Sequence, residues 1–210
     1  MLAFYMEFVA SEEGSMIRAV FFGITMLIST HAIASWDVVK LFVSQIEVIP
    51  SALDQLIRVS VNTPIEVVSC QVRQESLKEI QAPLLEIIAS KTSLKTRLEA
   101  YVISPKPDRW SRITSSVSGL VMDLHRLAEE SGKKSEQFAH EIDLSNAYID
   151  LQSSIRGGKI DILLDLERVS ASEDEEVLNE LSDAAKNLGA EIDRLRTVKD
   201  AIALELGKGC

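Results

Sequence analysis

The chain has little of what most catalytic and metal sites are built from. Its 210 residues hold two cysteines and three histidines. A di-iron site in a helical bundle needs a glutamate three residues before a histidine on each of two helices. Met122 stands three before His125, and Gln137 three before His140, so that pattern is absent. Zinc needs three or four converging ligands, and His125 and His140, the two histidines beyond the first 34 residues, read as surface or boundary residues. There is no Cys-x-x-Cys-His haem attachment. No serine lies in a Gly-x-Ser-x-Gly elbow or a Ser-x-x-Lys motif. Gly157-Gly158 lacks the spacing and the following Lys-Ser/Thr of a phosphate loop. No cofactor and no catalytic residue is expected.

Basic charge is also short. The net charge is −10, and it stays acidic, −8, without the first 34 residues, which carry one Arg and three Glu. Nucleic acid and anionic lipid both call for a basic surface, so neither is expected as a partner.

What is present begins with an export signal. Met16-Ile17-Arg18 is a basic start, Ala19 to Ile28 an apolar run, and Ala32 and Ala34 the small pair before a cut. A membrane span needs roughly 20 apolar residues, and this run is about half that. Residues 16–34 are therefore read as a signal peptide cleaved after Ala34. The membrane is met only in transit, and the working location is periplasmic or secreted. Residues 1–15 contain Glu7, Glu12 and Glu13 and no Lys or Arg, the wrong sign for a signal start. Glu12-Glu13-Gly14 can be encoded by a purine-rich stretch resembling a bacterial ribosome-binding site just before Met16. Residues 1–15 are read as an over-called gene start.

Residues 35–210 then form one domain-sized unit. Ser35 to Ile49 carries Val39, Phe42, Val43 and Ile46 on one helical face, with a strand still open because β-branched residues abound. Pro50 ends it, and Ser51 to Val61 is a short helix. Thr63-Pro64-Ile65-Glu66 has the form of a capping box with Pro at the first helical position. From it a heptad seam runs Cys70, Leu77, Ile80, Leu84, Ile87, Leu94, Leu98 and Tyr101, with Arg73 and Lys91 in the missing places. Asp108 is expected to cap a helix from Arg109 to Ser131, with its seam from Trp110 to Leu127. Ser111, Thr114, Ser115, Ser116 and Ser118 give it a small polar face suited to close packing. Gly132-Lys133-Lys134 is read as a turn. Ser135 to Arg156 follows with two stripes, one of Phe138, Ile142 and Ile149, the other of Leu144, Tyr148, Leu151 and Ile155. A stripe that wide implies more than one neighbour. Lys159 to Val169 is apolar on most sides, as a buried segment would be. Ser172 to Glu175 is a second capping box, opening a helix from Glu173 to Leu206 whose seam runs from Leu178 to Leu206 with Lys199 out of place.

The predicted fold is all-α: an antiparallel, four-helix-type bundle with long heptad-patterned helices and an N-terminal helical extension. Cys70 and Cys210 permit one disulfide in an oxidising compartment, while Cys70 could equally serve as a small buried hydrophobe. The question is tied to Pro83. If Pro83 leaves its helix whole, the start of that helix and the end of the last lie at the same end of the bundle. If Pro83 breaks it, the two cysteines lie far apart.

Two functions fit this pattern. One is an exported non-catalytic protein acting through protein–protein contact: a scaffold, adaptor, chaperone or secretion accessory. Its seams, that of Leu178 to Leu206 above all, could pack within the chain or against a second copy. The other is a ligand-binding or sensor-type bundle for a small anion, with Arg73, Lys91 and Lys199 as the cations that would have to converge.

Overall fold

The computed structural model describes residues 48–156, 171 and 173–210. Residues 1–15 and 16–34, for which an over-called start and a signal peptide are expected, lie outside them, as do residues 35–47 and the apolar segment 159–169. The described residues form five α-helices and no strand: α1 (Val48–Asn62), α2 (Cys70–Ile103), α3 (Pro107–Gln137), α4 (Ile142–Arg156) and α5 (Glu175–Gly207).

The heptad seams become the core. Leu77, Ile80, Leu84, Ile87, Leu94, Leu98 and Tyr101 of α2 are buried, as are Trp110, Ile113, Val117, Leu120, Leu124 and Leu127 of α3. On α5 the buried line is Leu181, Ala185, Leu188, Ile192, Leu195, Val198 and Ile202. The seam of α5 thus packs inside the chain. Lys199 is off that line, since Val198 fills the inward place and Lys199 pairs with the adjacent Asp200 at 2.8 Å.

Cross-links between helices fix the topology. Serines Ser93 and Ser116 meet at 3.5 Å between α2 and α3, Ser90 donates to Asp123 at 2.5 Å, and Glu79 pairs with Lys134. The two helices therefore run antiparallel. Ser145 donates to the Ser135 carbonyl and Gln152 to that of Ala128, setting α4 antiparallel to α3. Lys91 pairs with Glu191 and Cys70 with Cys210, setting α5 antiparallel to α2. The neighbours close a ring: α2 on α3, α3 on α4, α4 on α1, α1 on α5 and α5 on α2. The short helix α1 is the N-terminal extension, wedged between α4 and α5.

Pro83 sits buried within an unbroken α2. The branch that keeps that helix whole is the one observed, and the cysteines meet: Cys70 and Cys210 form a disulfide with Cα atoms 5.8 Å apart.

Several boundaries move from their predicted places. α1 begins at Val48, because Pro50 falls in the first turn, where its missing donor has no helical partner to lose. Thr63 does not open the next helix. Its amide and hydroxyl both donate to the Val59 carbonyl and close α1. One turn follows, with Val67 and Val68 donating to the Pro64 carbonyl, and α2 starts only after Ser69, whose hydroxyl accepts from the Val72 amide at 3.3 Å. Asp108 is not the cap of α3. Lys106 holds that position and Pro107 the first helical one, which leaves Asp108 in the first turn beside the positive end of the dipole. Likewise Asp174 caps α5, accepting from the Glu176 amide at 2.9 Å, while Ser172, the expected cap, lies outside the described residues.

Gly132 does not end α3, which continues to Gln137. The Gln152 side chain from α4 lies where a Cβ at position 132 would project, and from there it donates to the Ala128 carbonyl at 3.0 Å. The glycine is thus a close-approach residue within a helix. The turn comes instead at Phe138, which is buried and stacks on Tyr148 with ring centroids 5.8 Å apart. Of the two stripes predicted over residues 135–156, that of Leu144, Tyr148, Leu151 and Ile155 is core. Ile142 and Ile149 point out, 71% and 43% exposed.

Candidate functional site

Three polar features stand out among the described residues. The deepest is an ion pair at mid-height between α2 and α5. Lys91 Nζ lies 2.5 Å from Glu191 Oε2, with side-chain exposures of 6% and 0%. The second carboxylate oxygen, Glu191 Oε1, has no hydrogen-bond partner among the described residues. Lys91 occupies a heptad seam position, which is why it is carried inward. Glu191 escaped the sequence reading because it sits beside the seam, next to Ile192.

The second feature lies at the disulfide end. The Arg73 guanidinium Nη1 donates to the carbonyls of Ser60, Val61 and Thr63 at 3.1, 3.3 and 3.3 Å. These are the C-terminal carbonyls of α1 and its exit, which have no helical donors of their own, so the cation both bonds them and opposes the negative end of the dipole. Nearby, the Tyr148 phenol is buried. Burial pushes its pKa above the ordinary value; the neighbouring Ser76 hydroxyl opposes this and the Glu79 charge adds to it.

The third is an open cleft of about 480 Å³ where α1 meets α4. Arg58, Glu141, Asp143, Asn146 and Asp150 line it, and Gln55 donates to Asp150 across it at 3.4 Å. One guanidinium faces three carboxylates, so the cleft is acidic. The sequence reading did not find it, because its residues are ordinary polar surface positions on each helix and become a group only through the α1–α4 contact.

The three cations singled out from the sequence are not brought together. Arg73 and Lys91 share one helix but stand 18 positions apart, about 27 Å along the axis. Arg73 is engaged by carbonyls, Lys91 by Glu191 and Lys199 by Asp200. His125 and His140 are both exposed. Of the small polar face on α3, Ser116 is buried against Ser93 of α2, as close packing requires, whereas Ser111, Ser115 and Ser118 are exposed. Among the described residues no group of three His, Cys, Asp or Glu could hold a metal ion. No helix among them is long and apolar enough to cross a membrane. Comparison with protein-family models, curated proteins and solved structures finds no match to this chain.

Proposed function

We propose that this chain is an exported, non-catalytic helical-bundle protein that works in the periplasm or outside the cell by contacting other proteins, as a scaffold, adaptor, chaperone or secretion accessory. The Cys70–Cys210 disulfide carries the reading. Such bonds persist in oxidising compartments and are rare where thiols are kept reduced, so the bond agrees with the signal-like segment Met16 to Ala34. The engagement of Arg73, Lys91 and Lys199 by protein groups favours interaction over capture of a small anion by those cations. The acidic α1–α4 cleft weighs the same way.

The test is made in the native host. Cell fractionation, N-terminal sequencing and thiol alkylation before reduction should give an envelope or secreted chain starting at Ser35 with both cysteines blocked. A cytoplasmic chain with free thiols would sink the export reading. Photo-cross-linking from exposed positions on α3 and α4 should then yield discrete protein adducts. Their absence, with a saturable small anion bound instead, would favour the sensor-type bundle.

A further inference from the structure

We propose that the Cys70–Cys210 disulfide is a thiol-exchange site, in which a thiolate from a protein dithiol or from a small cellular thiol attacks Cys210 and Cys70 leaves. This rests on the reading of the chain as an exported protein that works by contacting others, and it makes one such contact covalent. The bond lies beyond the packed core. Burial along α2 begins at Ser76 and Leu77, and the last fully buried residue of α5 is Ile202, eight positions before Cys210. Gly207, Lys208, Gly209 and Cys210 are all exposed. A Cβ added at Gly207 or Gly209 would meet nothing within 4 Å, so no neighbour packs closely over this arm at either glycine. Gly209 has a φ of 66°, a left-handed turn that glycine takes without strain, and its carbonyl oxygen lies 3.7 Å from Cys70 Sγ. Chain entropy strengthens such a bond through the unfolded state. It therefore resists unfolding and yet stays open to attack in the folded chain.

The two sulfurs are unequal. Exchange begins when a thiolate attacks one sulfur, and its rate follows access to that sulfur and the ease with which the other carries negative charge away. Cys210 is the exposed member, whereas Cys70 is half-buried. Cys70 is also the first residue of α2, just inside its cap Ser69. There the backbone amides without helical partners and the positive end of the dipole favour a negative charge. Arg73 stands three positions on, one turn along the same side of the helix, and adds a fixed cation. The step therefore has a direction. A new S–S bond forms between the attacking sulfur and Cys210 Sγ, the Cys70–Cys210 bond breaks, and its electron pair leaves on Cys70. With a dithiol partner, the partner's second thiolate then attacks its own first sulfur and Cys210 leaves in turn. Two electrons pass to this chain, the two protons of the partner's thiols end on Cys70 and Cys210, and the partner becomes the disulfide.

The experiment uses the oxidised full chain at about pH 8, near the ordinary thiol pKa. Two probes are compared: glutathione, and a Cys-x-x-Cys oxidoreductase whose second cysteine is replaced by alanine, so that the mixed disulfide persists. Acid quenching and peptide mass mapping locate the adduct. It should sit on Cys210 rather than Cys70 by at least about fivefold, equivalent to about 1 kcal/mol at a helix N-terminus. Its rate should not change with urea below the unfolding transition, because the attacked sulfur is already exposed. The probe that reacts faster at equal thiolate concentration identifies the source of the thiolate. An adduct chiefly on Cys70 overturns the proposal, as does a bond that opens only in step with unfolding. An inert bond in a chain recovered from the cell envelope removes the exchange site alone and leaves the export reading standing. Exchange at Cys210 in a chain recovered from the cytoplasm does the reverse.

Discussion

Replacing Lys91 with methionine should cost this protein more than any single substitution on its surface. The variant removes the one partner of a carboxylate that is fully buried and whose other oxygen already lacks a hydrogen bond among the described residues. Breaking a buried pair by deleting one member costs about 3–5 kcal/mol, because an uncompensated charge stays behind. The reverse variant, Glu191→Met, should cost less. The Lys91 ammonium sits at the end of a flexible four-carbon stem, is 6% exposed, and can swing its head toward water; Glu191 has no such path. Replacing both with methionine removes both desolvation penalties and keeps apolar volume in the seam, so the double variant should come within about 1 kcal/mol of the native chain or exceed it. The double-mutant cycle should then show a coupling of several kcal/mol.

Urea unfolding followed by circular dichroism, with the disulfide intact, measures each term, and an unchanged slope against urea would show that the denatured state has not altered. Lys95→Met is the control. Its pair with Glu99 at 2.6 Å is partly exposed, so its loss should cost less than about 1 kcal/mol and fade further in salt. The reasoning fails if both single core variants lie within about 1 kcal/mol of the native chain, or if the double variant equals the sum of the singles.

Three further outcomes follow from the same geometry. Cys70→Ser with Cys210→Ser opens a loop whose ends are 140 positions apart, and chain entropy alone puts the loss at up to about 5 kcal/mol; a shift in urea midpoint corresponding to about 2–5 kcal/mol is expected, and no shift would show that the bond does not constrain the unfolded chain. The Tyr148 phenol has its folded pKa raised by burial, so its neutral form is favoured in the native state. Stability should therefore be level below the unfolded pKa of about 10 and fall above it by up to about 1.4 kcal/mol per pH unit. Tyr148→Phe should flatten that fall, measured by urea unfolding between pH 8 and 11, and an unchanged slope would count against the assignment. Gly119 lies mid-helix in α3 with nothing within 4 Å of where its Cβ would stand, so Gly119→Ala should stabilise by about 0.5–1 kcal/mol through helix propensity and a less flexible unfolded chain. A thermal melt that falls instead would reveal a neighbour that the packing does not show.

Periodicity carried the fold further than local chemistry did. The seams of α2 and α3 are buried almost residue for residue, because a 3-4 spacing defines one face of a helix whatever its neighbours are. Helix ends were less legible, since the signals that mark them are shared. A threonine can cap the next helix or close the last, and Thr63 does the second because its hydroxyl reaches Val59 before the chain turns. A glycine can stop a helix or admit a neighbour, and Gly132 does the second because Gln152 fills its space. The polar sites were least legible, for a reason of register. Lys91 and Glu191 are 100 positions apart, and nothing local couples them. Yet the disulfide, once granted, supplies the coupling. With Cys70 level with Cys210 and the two helices antiparallel, position 91 stands level with position 189, and the nearest acidic side chain on α5 is Glu191. The buried pair was therefore recoverable from two cysteines, one unbroken helix and a rise per residue; what hid it was treating the disulfide and Pro83 as an open pair of alternatives.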